Sequence, residues 1–232
     1  MSSTEAIQPP AAPAGPMIRT LMGIAMLSGF LVVLTYQLTQ PIIAENQRRA
    51  IEAAVFQVIP GAVSKRNFVI GEQGLVETGN NSDADGIPIY AGYDADGQLL
   101  GIATNASAQG YADLVHLLYG YDPQCQCIRG IKVLKLAETP GLGDKILHDA
   151  GFLANFDQLD TRLNDSASDL DHDIVVVKHG TKQNPWEIDA ISGATISSKA
   201  VGKALNLSAK QVLPMLYPDL DKLQKGVTDA HP

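Results

Sequence analysis

Residues 189–205 read DAISGATISSKAVGKAL and mark the point where extended segments give way to a helix. Apolar residues recur at helical spacing after residue 200, and the pattern predicts a helix over about residues 198–217. Ser197 or Ser198 is a natural N-cap for this helix, because a serine hydroxyl can accept a hydrogen bond from a free N–H of the first turn. Such a cap accounts for one hydroxyl and leaves those before it unexplained.

The Gly-Ala pair before these serines also suits an anion site. Gly193 lets a backbone approach closely, and the free N–H groups and dipole of a helix start favour a phosphate. Ser192 and Thr195 can donate hydrogen bonds or supply a nucleophilic oxygen. Spacing alone leaves two alternatives open, which are a phosphate-binding loop and a capping motif with small neighbours.

The composition around this stretch is acidic. The chain has 232 residues, a formal net charge of −8 and a pI of about 5.0. This balance argues against nucleic-acid binding, which usually needs a basic face. The length allows one sizeable domain with appendages.

An uncharged segment near the N-terminus predicts a membrane anchor. Residues 21–38 read LMGIAMLSGFLVVLTYQL, and no charged residue lies between Arg19 and Glu45. About 20 apolar residues span a bilayer core as a helix, and this run lacks the polar face of an amphipathic core helix. A cleaved signal peptide would have a shorter apolar stretch and a small-residue exit. We therefore predict one transmembrane helix over residues 19–40, uncleaved, behind a flexible tail over residues 1–18.

The remaining chain is predicted to form a mixed α+β domain. Pro41 opens a run with an apolar stripe that ends at Pro60, which predicts a juxtamembrane helix over residues 41–60. Whether it is separate from the anchor or continuous with it through a kink stays open. Short segments separated by Gly, Asn and Asp turns predict strands between residues 63 and 133. A short helix over 151–159, a buried strand over 173–178, a domain spanning 61–220 and a C-terminal tail over 221–232 complete the prediction.

Two motifs resemble those of a known family. SGATIS at 192–197, with Asp189 three residues before it, resembles the flavinylation motif of FMN-binding domains. These domains occur in the G subunit of the Rnf electron-transport complex and in the C subunit of the sodium-translocating NADH:quinone reductase. ETPGLGDKI at 138–146 resembles the family's flavin-contacting loop. The resemblance covers nearly the whole chain, and the second motif favours the Rnf protein.

The resemblance implies a covalent cofactor. Thr195 would be esterified to the phosphate of FMN by a separate flavin transferase, which uses FAD and reads a pattern that includes Asp189. The first motif would shape the loop and bind phosphate, and the second would line the ring or ribityl chain, with a lysine that screens the phosphate. The other cofactor-binding residues so implied are Ser192, Gly193, Ala194, Ile196, Ser197, Glu138, Thr139, Leu142, Gly143 and Lys145.

The implied function is that of an electron-transfer subunit in a membrane-bound, ion-translocating oxidoreductase that moves electrons between NADH and ferredoxin. Its partners would be other membrane subunits and iron–sulfur subunits, and its FMN domain would lie on the periplasmic side of a bacterial inner membrane. Basic residues at both ends of the apolar segment leave this orientation open from charge alone. Two alternatives remain, namely a free-standing anchored flavoprotein reductase and a non-redox anion-binding module.

Several other residue groups carry no predicted site. Cys125 and Cys127 have a C-x-C spacing unlike common zinc motifs, and a hairpin feature, a disulfide and a metal-ligand pair stay open. Asp171, His172 and Asp173 lie where a polar loop enters a strand, and we expect no metal there. We expect Trp186 to cover the core rather than the flavin loop.

Overall fold

The computed structural model describes residues 14–71, 74–79 and 86–225. Residues 1–13 of the predicted N-terminal tail and residues 226–232 of the predicted C-terminal tail lie outside the described residues. The chain divides into two units, Met1–Arg49 and Ala50–Pro232.

The described residues of the first unit form most of one long helix, α1, which spans Ala14–Val58. By length and composition, α1 is the one helix in the described part of the chain that could cross a membrane. It begins before residue 19, so part of the predicted tail is helical. The predicted juxtamembrane helix is continuous with the anchor, with Pro41 inside α1. Beyond the apolar segment, Glu45 forms exposed ion pairs with Arg48 and Arg49.

The second unit is built on an antiparallel sheet of seven strands, in the order β2-β1-β3-β4-β5-β6-β7. The strand-like segments that the sequence shows between residues 63 and 133 are confirmed as β3 to β6. The bounds are β1 Ser64–Gly71, β2 Gly74–Glu77, β3 Ile87–Tyr93, β4 Leu99–Gln109, β5 Leu114–Asp122, β6 Cys127–Lys135 and β7 Leu159–Asp160.

Shorter elements follow the sheet. The helices are α2 Ala150–Leu153, α3 Thr195–Leu216 and α4 Leu220–Lys225. The 3-10 turns lie at Gly143–Leu147, Ala154–Phe156 and Tyr217–Asp219. A separate parallel pair of strands is formed by β8 Val175–Val177 and β9 Glu187–Asp189.

Two predicted elements are wrong in extent. The helix predicted over 151–159 is only α2 followed by a 3-10 turn, because the chain then joins the sheet edge as β7. The buried strand predicted over 173–178 is the three-residue β8, whose Val175 is 42% exposed. β8 pairs only with β9, outside the main sheet, so one side of it faces solvent.

One face of the sheet is covered by α3, which packs across β4 and β5. Its buried Val201, Leu205 and Val212 join the main hydrophobic core. The Tyr119 hydroxyl of β5 lies 3.1 Å from the Ser208 hydroxyl of α3. Burial raises the pKa of Tyr119 far above its usual value, so this phenol stays neutral.

The opposite face receives the last turns of α1. Val55, Val58 and Ile59 pack there against Ala103 and Leu118 in a second, smaller cluster. A Cβ built on Gly120 would collide with the backbone carbonyl of Val58, so only glycine allows this approach. The centre of the sheet, at β4 and β5, is therefore covered on both faces.

Antiparallel pairing brings two loops to the same end of the sheet. The turn at residues 110–113 joins β4 to β5, and the segment from residue 136 onward leaves β6, the strand beside β5. The start of α3 reaches the same end, because Ser197 contacts Glu138 there. These three segments form the site.

Candidate functional site

The cavity at this end of the sheet has a volume of about 400 Å³. Both sequence motifs contribute to it, although their residues are far apart in the chain. Its lining residues are Tyr111, Glu138, Thr139, Leu142, Gly143, Gly193, Ala194, Thr195, Ile196 and Ser197.

Helix α3 begins earlier than predicted. Ala194 takes the N-cap position and offers no side-chain hydrogen bond, while Thr195 is the first helical residue. The expectation that Ser197 or Ser198 would be the N-cap is wrong, because both lie inside the first turn. Gly193 has a positive φ of 84°, and this left-handed residue turns the chain into the helix ahead of the serines.

The first turn of α3 leaves backbone donors available. The first intrahelical bond runs from the Ser198 N–H to the Ala194 carbonyl at 2.9 Å. The N–H groups of Thr195, Ile196 and Ser197 therefore have no carbonyl partner within the helix. Thr195 is exposed, and within the described residues its hydroxyl makes no hydrogen bond. An exposed hydroxyl oxygen thus lies on the same first turn as three backbone donors suited to an anion.

Glu138 ties the three walls of the cavity together. Its Oε1 accepts hydrogen bonds from the Tyr111 N–H at 2.8 Å and the Ala112 N–H at 3.4 Å. Its Oε2 accepts a hydrogen bond from the Ser197 hydroxyl at 2.9 Å. The carboxylate therefore connects the β4–β5 turn, the segment after β6 and the first turn of α3.

Two glycines make room for this carboxylate. A Cβ on Gly143 would lie 2.6 Å from Glu138 Oε2 and 2.7 Å from Ser197 Oγ. A Cβ on Gly110 would collide with Glu138 Oε1. The PGLG sequence keeps the turn tight, since the N–H groups of Leu142 and Gly143 both bond to the Thr139 carbonyl at 3.1 Å.

The rim of the cavity is apolar and open to solvent. Leu142 and Ile196 are each 53% exposed, and Tyr111 is 70% exposed. Tyr111 was not predicted as a site residue, because the sequence pattern placed it in a strand. The preceding Gly110 was the only local indication that Tyr111 lies in a turn. Its place in the site comes from the contact with Glu138, which lies 27 positions away.

The turn that carries Tyr111 also holds a fixed charge. The Leu114 N–H lowers the pKa of Asp113, and Lys135, 3.4 Å away, lowers it further. Asp113 is therefore ionised at neutral pH, and its backbone carbonyl accepts the Gly110 N–H at 2.9 Å.

Ser192 and Lys145 line a neighbouring cavity of about 610 Å³ instead. His148, His179 and Asp189 lie on its wall as well. The two cavities share the loop that contains the first motif, and Ser192 faces the second of them. Nine of the eleven predicted cofactor-binding residues thus meet in one cavity, and two meet in the next.

Asp189 has a structural task at the end of β9. Its Oδ1 accepts the Gly180 N–H at 2.7 Å, and its Oδ2 lies 3.3 Å from His179 Nδ1. The Asn155 side chain bonds to both its N–H and its carbonyl. These contacts fix the strand that leads into the motif.

The residues for which the sequence predicts no site are not among those that line the 400 Å³ cavity. Cys125 and Cys127 form a disulfide at the β5–β6 hairpin, at the other end of those strands. His172 stacks on Trp186 with ring centroids 3.7 Å apart. Trp186 is half-buried and is not among the cavity-lining residues.

The cavity residues fit an FMN group. The volume lies within the range of about 300–1,000 Å³ typical of small-molecule sites. Exposed Leu142 and Ile196 offer apolar contacts to a flat ring, while the open start of α3 offers donors to a phosphate. A Cβ at Gly193 would meet no atom within 4 Å, so the loop leaves open space beside Thr195.

Comparison with protein families agrees with this geometry. Residues 110–210 match the model of the FMN-binding domain, and residues 19–58 match that of the RnfG N-terminal region. Two solved structures share the fold. One is Shewanella oneidensis NqrC, which is 18% identical over 72% of this chain and 86% of its own, with a TM-score of 0.55. The other is the C subunit of the Na⁺-translocating NADH-quinone reductase from Parabacteroides distasonis, which is 21% identical over 74% of this chain and 94% of its own, with a TM-score of 0.56.

Curated relatives narrow the identification. The G subunit of the ion-translocating oxidoreductase complex of Methanosarcina acetivorans is 29% identical over 84% of this chain and 93% of its own length. The protein of the same name from Aliivibrio fischeri is 33% identical over 78% of this chain and 81% of its own length.

Fold and family match define an FMN-binding-domain protein in which the described residues include one apolar helix long enough to cross a membrane. Its relatives make it an electron-transfer subunit of an ion-translocating complex. Within that class, the chain belongs to the RnfG family, the G subunits of the Rnf ion-translocating oxidoreductase complexes.

Proposed function

We propose that this chain carries FMN as a phosphoester on Thr195 and relays electrons within an Rnf complex that operates between NADH and ferredoxin. The observation that carries the proposal is the position of the Thr195 hydroxyl. It is exposed and free of hydrogen bonds among the described residues, and it stands at the open start of α3 on the wall of the cavity.

The attachment chemistry follows from that position. The Thr195 oxygen would form a bond to the flavin-side phosphorus of FAD, its proton would leave, and AMP would depart. A flavin transferase is needed as the catalyst, because within the described residues no base contacts the hydroxyl. Thr195 is exposed at the first position of α3, so such an enzyme can reach its hydroxyl.

The neighbouring groups have distinct roles in this proposal. The N–H groups of Ile196 and Ser197 would bond to phosphate oxygens. Ser192, Gly193 and Ala194 shape the turn, while Thr139, Leu142 and Gly143 line the space for the ring or ribityl chain. Lys145, in the adjoining cavity, would screen the phosphate charge through solvent.

A tether at the phosphate leaves the flavin ring chemically unmodified, so the cofactor supplies electron transfer and the protein supplies position. An exposed, covalently held carrier cannot diffuse away when it meets successive partners. This arrangement suits a relay better than a hydride-transferring enzyme with a closed site.

The names of relatives support the setting of the relay. The Acetobacterium woodii relative is the G subunit of the Na⁺-translocating ferredoxin:NAD⁺ oxidoreductase complex, and the Clostridium ljungdahlii relative is the proton-translocating equivalent. We propose the same electron route here, with other membrane subunits and iron–sulfur subunits as partners. The FMN domain would lie on the periplasmic side of the inner membrane, behind α1.

Affinity purification of the tagged full-length chain from its native host tests the proposal. We expect it to co-purify with several polytopic and iron–sulfur subunits, and we expect NADH to reduce its flavin in the assembled complex. Thr195→Ala should still assemble but should lose that reduction. A flavinylated chain that purifies alone would favour the free-standing reductase, and a chain without flavin would favour the anion-binding module.

A further inference from the structure

We propose that Tyr111 is the side chain that lies against the flavin ring in this site, and that Glu138 is the positioning residue that holds Tyr111 there. This inference rests on the proposed function and adds two roles that the motifs alone do not give.

Tyr111 has the right chemistry and an unusual position. It is the one aromatic residue that lines the 400 Å³ cavity, yet it is 70% exposed. Large aromatic side chains bury much apolar area when they pack and favour offset stacking on other rings. The flat, three-ring flavin is the one partner in this proposal that could cover the phenol. The aliphatic Leu142 and Ile196 complete the same rim.

Glu138 fixes the backbone that carries Tyr111. Its Oε1 holds the Tyr111 N–H at 2.8 Å, while its Oε2 holds the Ser197 hydroxyl of α3 at 2.9 Å. Because a Cβ at Gly110 or Gly143 would meet this carboxylate, the slot around it is tight. Glu138 therefore sets the distance between the Tyr111 turn and the turn that bears Thr195.

A specific optical signature follows. An excited flavin accepts an electron from a phenol or indole in contact with it, which quenches the flavin fluorescence. The chain has a single tryptophan, Trp186, which stacks on His172 and does not line the cavity. Quenching in the folded protein should therefore depend on Tyr111 and not on Trp186.

The experiment uses the full-length chain in detergent, flavinylated by co-expression with a flavin transferase. Flavin fluorescence is measured in the folded state and again after denaturation of the same sample, which normalises for loading. We expect the folded wild type to be quenched relative to its denatured form. Tyr111→Leu should raise the folded-to-denatured ratio several-fold, and Trp186→Phe should leave the ratio unchanged. An unchanged ratio in Tyr111→Leu would overturn the role of Tyr111.

Glu138 is tested by a pair of variants. Glu138→Gln can still accept the Tyr111 N–H and can donate to the Ser197 hydroxyl, so it should keep the wild-type ratio. Glu138→Ala loses both bonds and should raise the ratio toward that of Tyr111→Leu. A Gln variant as bright as the Ala variant would overturn positioning and assign the effect to charge. An Ala variant as dark as the wild type would also overturn it.

Ser197→Ala covers the case in which Glu138→Ala does not fold. It removes one of the two connections and leaves the carboxylate on the Tyr111 turn, and we expect an intermediate rise in the ratio. A wild-type ratio in this variant would overturn the link between the two segments.

Failure of this inference differs from failure of the proposed function. If the denatured wild type shows no flavin fluorescence although the transferase labels a control substrate, then covalent attachment fails and both proposals fall. If the denatured wild type is bright while Tyr111→Leu matches its folded-to-denatured ratio, only the present inference fails.

Discussion

The hydroxyl of Ser198 donates a hydrogen bond to the carbonyl of Ala194 at 2.9 Å and so closes the turn that presents Thr195. The same oxygen accepts the Ile191 N–H at 3.1 Å, and Ser198 is fully buried. One side chain thereby satisfies two backbone groups on the inner side of the motif. Of the two serines after Thr195, this one has a structural role, while Ser197 serves the contact with Glu138.

Ser198→Ala should destabilise the domain, because it leaves the buried Ile191 N–H without its acceptor. A buried, unsatisfied donor costs about 1–3 kcal/mol. Denaturant unfolding would measure the loss, and the rate of flavin attachment should fall with it because the acceptor turn loosens.

Ser192→Ala is the matched control for stability. Ser192 is exposed, and within the described residues its hydroxyl makes no hydrogen bond. The free energy of unfolding of Ser192→Ala should stay within about 0.5 kcal/mol of that of the wild type. Equal effects of the two substitutions would contradict the assigned role of Ser198.

Gly143→Ala should disturb the contact between Glu138 and Ser197 in the cavity wall. The new Cβ would lie 2.6 Å from Glu138 Oε2 and 2.7 Å from Ser197 Oγ, so the bond between these two residues must stretch or break. Such overpacking typically costs about 1–3 kcal/mol. Thermal unfolding and the extent of flavinylation should both decrease.

Gly151→Ala provides the comparison for that change. Its Cβ would meet only Asp149 Oδ1 at 3.4 Å, an ordinary contact, and the residue lies in α2 where alanine is favourable. We expect no loss of flavinylation. If both alanine variants lose flavin alike, the crowding at Gly143 is not the cause.

Gly120→Ala should be the more damaging of two facing substitutions in the sheet. Gly120 and Gly130 are register partners in β5 and β6. A Cβ at Gly120 would collide with the Val58 carbonyl, whereas one at Gly130 would lie 3.4 Å from the Val58 Cα. We expect a loss of at least about 1–3 kcal/mol for the first variant and a clearly smaller change for the second. A reversed order in equilibrium unfolding would refute this packing of the α1 end.

Asp219→Asn should remove an acid-dependent part of the stability. The Lys222 ammonium, 2.8 Å away, and then the Leu75 N–H lower the pKa of Asp219 below the ordinary value of 3.8. Because the folded pKa is the lower one, this stabilisation is present above the ordinary pKa and is lost as pH falls through the folded pKa. The variant should be less stable at pH 7, by about 0.2–1 kcal/mol, because the Lys222 partner is exposed and solvent screens the pair.

The measurement for Asp219 is the difference in unfolding free energy between wild type and variant as a function of pH. It should be constant near neutrality and should shrink as pH falls below about 4. A difference that persists unchanged in strong acid would assign the effect to packing and not to the carboxylate charge.

Periodicity and composition were sufficient for the large elements. The apolar run of α1 and strands β3 to β6 were predicted, because an uncharged run of helix length and alternating patterns between turn residues are local signals. The start of α3 was misplaced since the conformation of Gly193, and not a serine, decides where the helix begins. The valines of β8 predicted a buried strand, because β-branched residues favour strands. They do not indicate which strands pair beside it, and this pairing decides its burial.

The candidate site was predicted in its motifs but not in its connections. Four residues of the second motif and residues 193–197 could be assigned from the resemblance, and they do line one cavity; the four are Glu138, Thr139, Leu142 and Gly143. Tyr111 could not be assigned from the sequence. Its backbone N–H is held at the cavity by the Glu138 side chain, and this contact depends on the pairing of β5 with β6. Ser192 and Lys145 fall in the next cavity because the turn at Gly193 and the 3-10 turn at Gly143–Leu147 direct them there.

In-gel flavin fluorescence of the denatured full-length chain, co-expressed with a flavin transferase, tests the central claim most directly. Wild type and Thr139→Ala should fluoresce, and Thr195→Ala should be dark, although both threonines line the same cavity. A fluorescent Thr195→Ala chain, or a dark wild type beside a labelled control protein, would contradict the account.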